Sequence, residues 1–201
     1  MLPSADLLAP SANVGRAQRE LRNGHRGTVI LLTGLPASGK STLAQALHAH
    51  LFESGMHSLV LDGDALRTGL NCDLGFTDGD RKENIRRASE LSALLVENGQ
   101  IVILAMIAPL VELREVFARR LGEDYREVWC SASLEICEQR DPKGHYARAR
   151  RGELAGFTGV SAPYEPPLHA SLVLDTGTQS VPACLDRLLA WLGETAVIAK
   201  R

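Results

Sequence analysis

The sequence has no long hydrophobic run, no marked excess of one charge and no closely paired cysteines. Its longest apolar stretch, 101–111, is too short to span a bilayer and is interrupted by Pro109. The opening residues MLPSADLLAPSANVG carry no basic segment and no long apolar core, so they are expected not to be a secretory signal. A formal net charge of −2 excludes a global field that would draw the chain toward nucleic acid or a membrane surface. The four cysteines, Cys72, Cys130, Cys137 and Cys184, are widely spaced without a C-x-x-C pair. They read as free thiols in a reducing cytoplasm, with no zinc site.

What is present is ordinary globular composition over 201 residues, 45% apolar and 23% charged, enough for one well-buried domain with a short arm. Short apolar runs alternate with helical patterns, which predicts an α/β fold, a five-stranded parallel sheet flanked by helices. The strands are expected at 28–33, 57–61, 101–107, 126–130 and 171–174. Helices are expected from Lys40 to before Gly55, over 110–121, from Ser133 to before Asp141, and over 181–192 with Pro182 in its first turn. Another is expected from Asp80, capped by a box with Glu83 and stopped at Gly99. Residues 1–27 read as an arm of weak helical character without a core of its own, and 28–201 as the main domain. Within it, 141–168 is a long Gly- and Pro-containing segment, and segments that long in a compact domain are functional or disordered.

The stretch TVILLTGLPASGKST is a strand, a glycine-rich turn and a helix start. Gly34, Gly39, Lys40 and Ser41 fit the phosphate-loop pattern G-x-x-x-x-G-K-[ST] in that context. Glycines let backbone amides wrap a phosphate, and the helix start adds its dipole. Lys40 reaches the outer phosphates and the Ser41 hydroxyl ligates magnesium. The candidate ATP site is therefore Gly34, Leu35, Pro36, Ala37, Ser38, Gly39, Lys40, Ser41 and Thr42, and a basic cluster lies farther along the chain. That cluster, Arg140, Lys143, Arg148, Arg150 and Arg151, falls in twelve residues holding one acid, Asp141, and on composition alone a solvated face is the simpler account.

The stretch LVLDGDALR puts Asp62, Asp64 and Arg67 at the end of the second strand. In a parallel sheet this is the edge that carries the phosphate loop. A carboxylate there can order magnesium waters or accept the proton of an attacking hydroxyl, and Arg67 can hold an anion. A helix cap beside a surface arginine is the plainer alternative. Farther on, Phe76 and Phe157 are aromatic rings in polar loops, suited to stacking on a flat base or to pinning their loops. Arg81 and Asn84 open a helix whose N-terminus favours an anion.

With these residues in hand, the chain resembles the adenylylsulfate (APS) kinases, P-loop kinases that use ATP to phosphorylate the ribose 3′-hydroxyl of adenosine 5′-phosphosulfate. The resemblance runs from about Arg19 to Leu192. It includes NGHRG, the phosphate loop, LDGDALRTGLNCDLGFTDGDRKENIRR, CEQRDPKGHYARARRGELAGFTGVSAPYEPP and LVLDT. It implies a P-loop kinase fold with a mobile lid over 141–168, a cytoplasmic homodimer of sulfate assimilation, and Mg2+ with ATP as co-substrate. It implies that Asp64 is the base or magnesium-organising carboxylate, supported by Asp62. Arg67, Arg81 and Asn84 would hold the phosphosulfate and ribose, Phe76 and Phe157 would sandwich the adenine, and Lys143 would reach the phosphates from the lid. The basic cluster of 140–151, with Arg140 on the nucleotide, would become a lid over ATP in place of a solvated face. Where members read Phe-Ile-Ser-Pro-Phe/Tyr-Arg, this chain has Met106, Ile107, Ala108, Pro109, Leu110 and Val111, so Ile107 and Ala108 are expected in the acceptor pocket. Cys72 stands where a basic residue is frequent. A different small nucleotide or a sugar acid as acceptor keeps the same fold. A non-catalytic nucleotide-binding regulator would not need Lys40, Ser41, Asp64 and Lys143 together.

Overall fold

Continuous burial, without alternation, marks the two central strands. In the computed structural model, which describes residues 14–198, every residue of β1 (Thr28–Thr33) and β3 (Ile101–Ala105) is buried. Helices on both faces of a parallel sheet produce this pattern. With β2 (Ser58–Asp62), β4 (Tyr125–Cys130) and β5 (Leu172–Leu174), they form one all-parallel sheet in the order β2-β3-β1-β4-β5. The five expected strands are all there, β1 at its expected bounds and the other four with one or both ends shifted by one or two residues.

The period-two geometry of β1 separates two apolar layers. Ile30 and Leu32 face α2 (Lys40–Glu53) and α8 (Val181–Glu194), meeting Leu43, Leu47, Leu51, Leu188 and Leu192. Val29 and Leu31 face α4 (Asp78–Glu97) and α5 (Val111–Leu121), meeting Ile85, Ala88, Leu113 and Phe117. Because α2 follows β1 and α5 follows β3, these neighbouring strands send their chains to opposite faces. The crevice between their carboxyl ends is the place where such sheets bind ligands.

Two local expectations change. The N-cap of α4 is Thr77, one turn earlier than the expected Asp80/Glu83 capping box: Thr77 Oγ1 accepts from the Asp80 amide at 3.2 Å and donates to the Asp80 carboxylate at 2.8 Å. Thr77 has extended backbone, as an N-cap needs. Glu83 is instead an interior residue paired with Arg86 and Arg87. Second, the 141–168 segment, which follows α6 (Leu134–Arg140), contains a helix, α7 (His145–Arg150), and a Thr158–Ala162 bridge. The described part of the arm forms α1 (Arg16–Asn23), which has no buried residue. It is held by polar contacts at the amino ends of the strands, where Arg16 bonds both Asp124 oxygens at 2.6 Å and Gly27 O at 3.0 Å. Residues 1–13 of the expected arm lie outside the described residues. The cysteines are free, Cys72 exposed and the other three buried. Among the described residues no helix is long and apolar enough to cross a membrane.

Candidate active site

The turn from β1 into α2 is shaped by what a side chain would hit. A Cβ on Gly34 would lie 2.6 Å from both Cys130 O and Ser38 Oγ, so only glycine fits beneath the loop. Gly39, at φ 93°, turns the chain into α2. Ala37 takes a left-handed conformation at φ 61°, which the surrounding loop must hold in place. Lys40 is buried under the loop and donates to Gly34 O at 3.0 Å and Leu35 O at 2.7 Å. Burial lowers its ammonium to about 8, so the ammonium is held with little water and is primed for an anion.

At the end of β2 one aspartate does two jobs. Asp62 Oδ1 accepts from the Asp64 amide at 2.9 Å, capping the short helix α3 (Gly63–Thr68), while Oδ2 accepts from Ser41 Oγ at 2.6 Å. The cap alternative is therefore true of Asp62, and the carboxylate still faces the phosphate loop. Asp64 is free of capping duty. Its exposed carboxylate pairs with Lys143, which raises the lysine's pKa. A hydroxyl and two carboxylates are hard oxygen donors, and among the described residues no cluster of three or more His, Cys, Asp or Glu forms a protein cage. That donor set fits a divalent cation carried mainly by nucleotide phosphates.

Lys40, Ser41, Asp62, Asp64 and Lys143 line one cleft of about 1040 Å³. Arg67, Phe76, Arg81, Asn84, Ile107, Ala108 and Phe157 line it too, as do Pro36, Ala37, Gly39, Thr42 and Arg140. Gly34, Leu35 and Ser38 do not; Ser38 is fully buried behind the loop. Arg67 lies 4.3 Å from the Phe76 ring centroid and donates to Gly75 O at 2.7 Å. Arg81 donates to Phe76 O at 3.0 Å and to Gly156 O at 2.8 Å, joining α4 to the 141–168 segment. Asn84, almost fully buried, accepts from Asn71 Nδ2 at 2.8 Å, which leaves its own amide hydrogens free. The two phenylalanines differ. Phe76 is 66% exposed, whereas Phe157 packs edge-on against Tyr146 at 5.0 Å and His145 at 6.1 Å.

The basic cluster is split by the fold. Arg140 and Lys143 line the cleft, while Arg150 pairs with Glu138, and Arg148 and Arg151 pair with Glu153. These two acids lie two residues outside the twelve-residue window, so the window looked more basic than the surface is. The cluster as a whole is not a roof over ATP.

Among the cleft residues that were not anticipated are Thr176 and Gln179, which follow β5, and Val181 and Cys184 in the first turn of α8. Arg140 donates to Thr176 O at 2.7 Å, and Thr176 Oγ1 is buried without a partner. The strand-end rule that located Asp62 and Asp64 applies equally to β5 and was the available signal.

The chain matches the family model for adenylylsulphate kinase over residues 26–175. An adenylyl-sulfate kinase of Paraburkholderia xenovorans is 53% identical over 167 residues, covering 83% of this chain and 93% of that protein. One from Prochlorococcus marinus is 43% identical over 196 residues, covering 97% and 98%. The Mycobacterium tuberculosis APS kinase CysC, solved in complex with AMPPNP and APS, superposes with a TM-score of 0.80 at 42% identity, covering 84% of this chain and 98% of that one. The chain belongs to the adenylylsulphate kinase family.

Proposed function

We propose that this protein transfers the γ-phosphoryl group of ATP to the 3′-hydroxyl of adenosine 5′-phosphosulfate, giving PAPS and ADP, with Mg2+ as the accompanying cation. The observation that carries the reading is the single cleft in which Lys40 and Ser41 face Asp62 and Asp64, with Arg67, Arg81 and Asn84 on the acceptor side. Lys40 and Arg140 would take the ATP end. The partnerless hydroxyl of Thr176 offers a donor or acceptor to the adenine beside Arg140.

In the transfer, the acceptor 3′-oxygen forms a bond to the γ-phosphorus as the bond to the β,γ-bridging oxygen breaks. The hydroxyl proton passes to Asp64, and ADP leaves. Phosphoryl transfer needs mainly alignment and charge stabilisation. Lys40 supplies positive charge from beneath the loop, and Lys143, once released from Asp64, supplies it from the lid. Ser41, Asp62 and Asp64 are the residues that would hold a magnesium ion, which would supply charge neutralisation for the transferring phosphoryl group. The same chemistry accounts for Ala108: a methyl group accepts no phosphoryl group, and none is required.

Incubation with γ-labelled ATP tests both the substrate and the route. With APS, the label is expected in PAPS; without APS, the protein is expected to stay unlabelled, and initial-rate plots to intersect. Transfer to other nucleosides or sugar acids in preference to APS overturns the substrate. A stoichiometric label on the protein that later moves to APS overturns direct transfer.

The aromatic pair gives a second expectation. Phe76→Ala should weaken APS binding by roughly 1–3 kcal/mol with little change in melting temperature, because the ring is largely exposed and stacks on a base. Phe157→Ala should weaken APS and also lower the melting temperature, because it removes a ring packed on Tyr146. Calorimetric titration with APS and with an ATP analogue, alongside thermal melts, reads both. Equal losses for the two ligands would show loop anchoring alone.

A further inference from the structure

We infer that Glu165 is a positioning residue that ties the lid to the wall of the acceptor pocket, so that the seating of the lid sets affinity for the acceptor nucleotide. The inference rests on the APS reading for the identity of that nucleotide, and on the following geometry for everything else.

The wall is the chain leaving β3 at residues 107–111. Three successive carbonyls in it are each bonded from a different element. Thr33 Oγ1, at the end of β1, donates to Ile107 O at 2.6 Å. Arg114 Nη1, in α5, donates to Ala108 O at 2.9 Å. The Glu165 amide donates to Pro109 O at 2.8 Å. The Glu165 carboxylate then accepts from the Val111 amide at 2.6 Å, at the first residue of α5. The first two bonds come from packed core elements. Glu165 alone among these partners belongs to the lid.

Ala108 explains why the bonds matter. It is buried in a left-handed conformation at φ 40°, which an alanine adopts only where its surroundings impose it. Removing one restraint lets residues 107–109 relax, and Ile107, Ala108 and Pro109 all line the cleft. The donor side is anchored elsewhere: Tyr146 in α7 donates to Pro36 O in the phosphate loop at 3.0 Å. The lid thus meets the ATP loop through Tyr146 and the acceptor wall through Glu165, in addition to its contacts of Lys143 with Asp64, of Gly156 O with Arg81 and of Tyr164 with Thr33.

Glu165→Ala and Glu165→Gln test this in the full chain. Glu165→Ala is expected to raise KM for APS about two- to thirtyfold, the range seen when a helix-capping side chain is lost. KM for ATP and kcat should stay within about a factor of two on the same argument. Hydrogen exchange across 106–112 in the unliganded protein should quicken. Glu165→Gln keeps an oxygen for the Val111 amide and should restore most of the APS affinity and the exchange protection. Parallel increases in both KM values, unchanged exchange, or a glutamine variant no better than alanine would each overturn the inference. If the unaltered protein does not phosphorylate APS, the substrate reading falls, and the exchange comparison still decides whether Glu165 restrains the wall.

Discussion

Asp64→Asn is expected to lower turnover with ATP and APS by a factor of about a hundred or more, the scale of a lost general base. Asparagine keeps the shape and removes both the charge and the basicity. The fold should not notice, because the Asp64 side chain is 72% exposed and the cap of α3 is made by Asp62 to the Asp64 backbone amide. Lys40 and the phosphate loop are untouched, so affinity for ATP measured by calorimetry should be largely kept. Lys143 loses the partner that raises its pKa and becomes free for phosphates before the acceptor arrives. Near-normal turnover in this variant would remove Asp64 from the chemistry. Asp62→Asn differs in kind, since it disturbs the cap and the bond from Ser41 Oγ together.

The largest expected stability effect belongs to Arg114. Its side chain is 3% exposed, and its Nε lies 2.8 Å from Glu127 Oε1, whose own side chain is 16% exposed. Tyr125 donates to the other Glu127 oxygen at 3.4 Å. Arg114→Leu would leave a buried carboxylate without its cation, which costs about 3–5 kcal/mol in other proteins. The pH dependence has a definite sign. Burial already pushes the Glu127 carboxyl above its ordinary value, and Arg114 opposes that push. Without the arginine the folded-state pKa rises further above the unfolded one. A raised carboxyl pKa destabilises the fold at pH above the folded pKa, and the deficit fades as pH falls toward the unfolded value. Urea unfolding of the variant and the unaltered protein at pH 7 and near pH 5 measures this. A deficit of equal size at both pH values, or one below about 1 kcal/mol, contradicts the unpaired-carboxylate account. The same variant frees Ala108 O, so APS affinity should fall as well.

Sequence by itself determined the parts whose partners are close along the chain. The phosphate loop is a contiguous run in which glycine, lysine and serine spacing dictates the turn, so β1, α2 and the place of Lys40 were readable. The step from β2 into Asp62 and Asp64 was readable too, because parallel sheets collect ligands at their carboxyl ends and the aspartates follow the apolar run directly. Local stop and start signals placed the end of α2 before Gly55 and the first turn of α8 at Pro182. Tertiary structure decided the rest, for one physical reason: a side chain's role depends on neighbours that sequence distance does not reveal. Only the fold shows Arg150 spent on Glu138, Arg148 and Arg151 on Glu153, and Lys143 alone reaching Asp64, 79 residues away. Only packing against Tyr146 separates Phe157 from the equally stranded Phe76. Thr176 became a cleft residue because β5 ends beside Gly39, whose absent Cβ would lie 3.9 Å from the threonine's. The acceptor wall at Ala108 owes its left-handed turn to Thr33, Arg114 and Glu165, three residues scattered along the chain whose hydrogen bonds converge only after the sheet has formed.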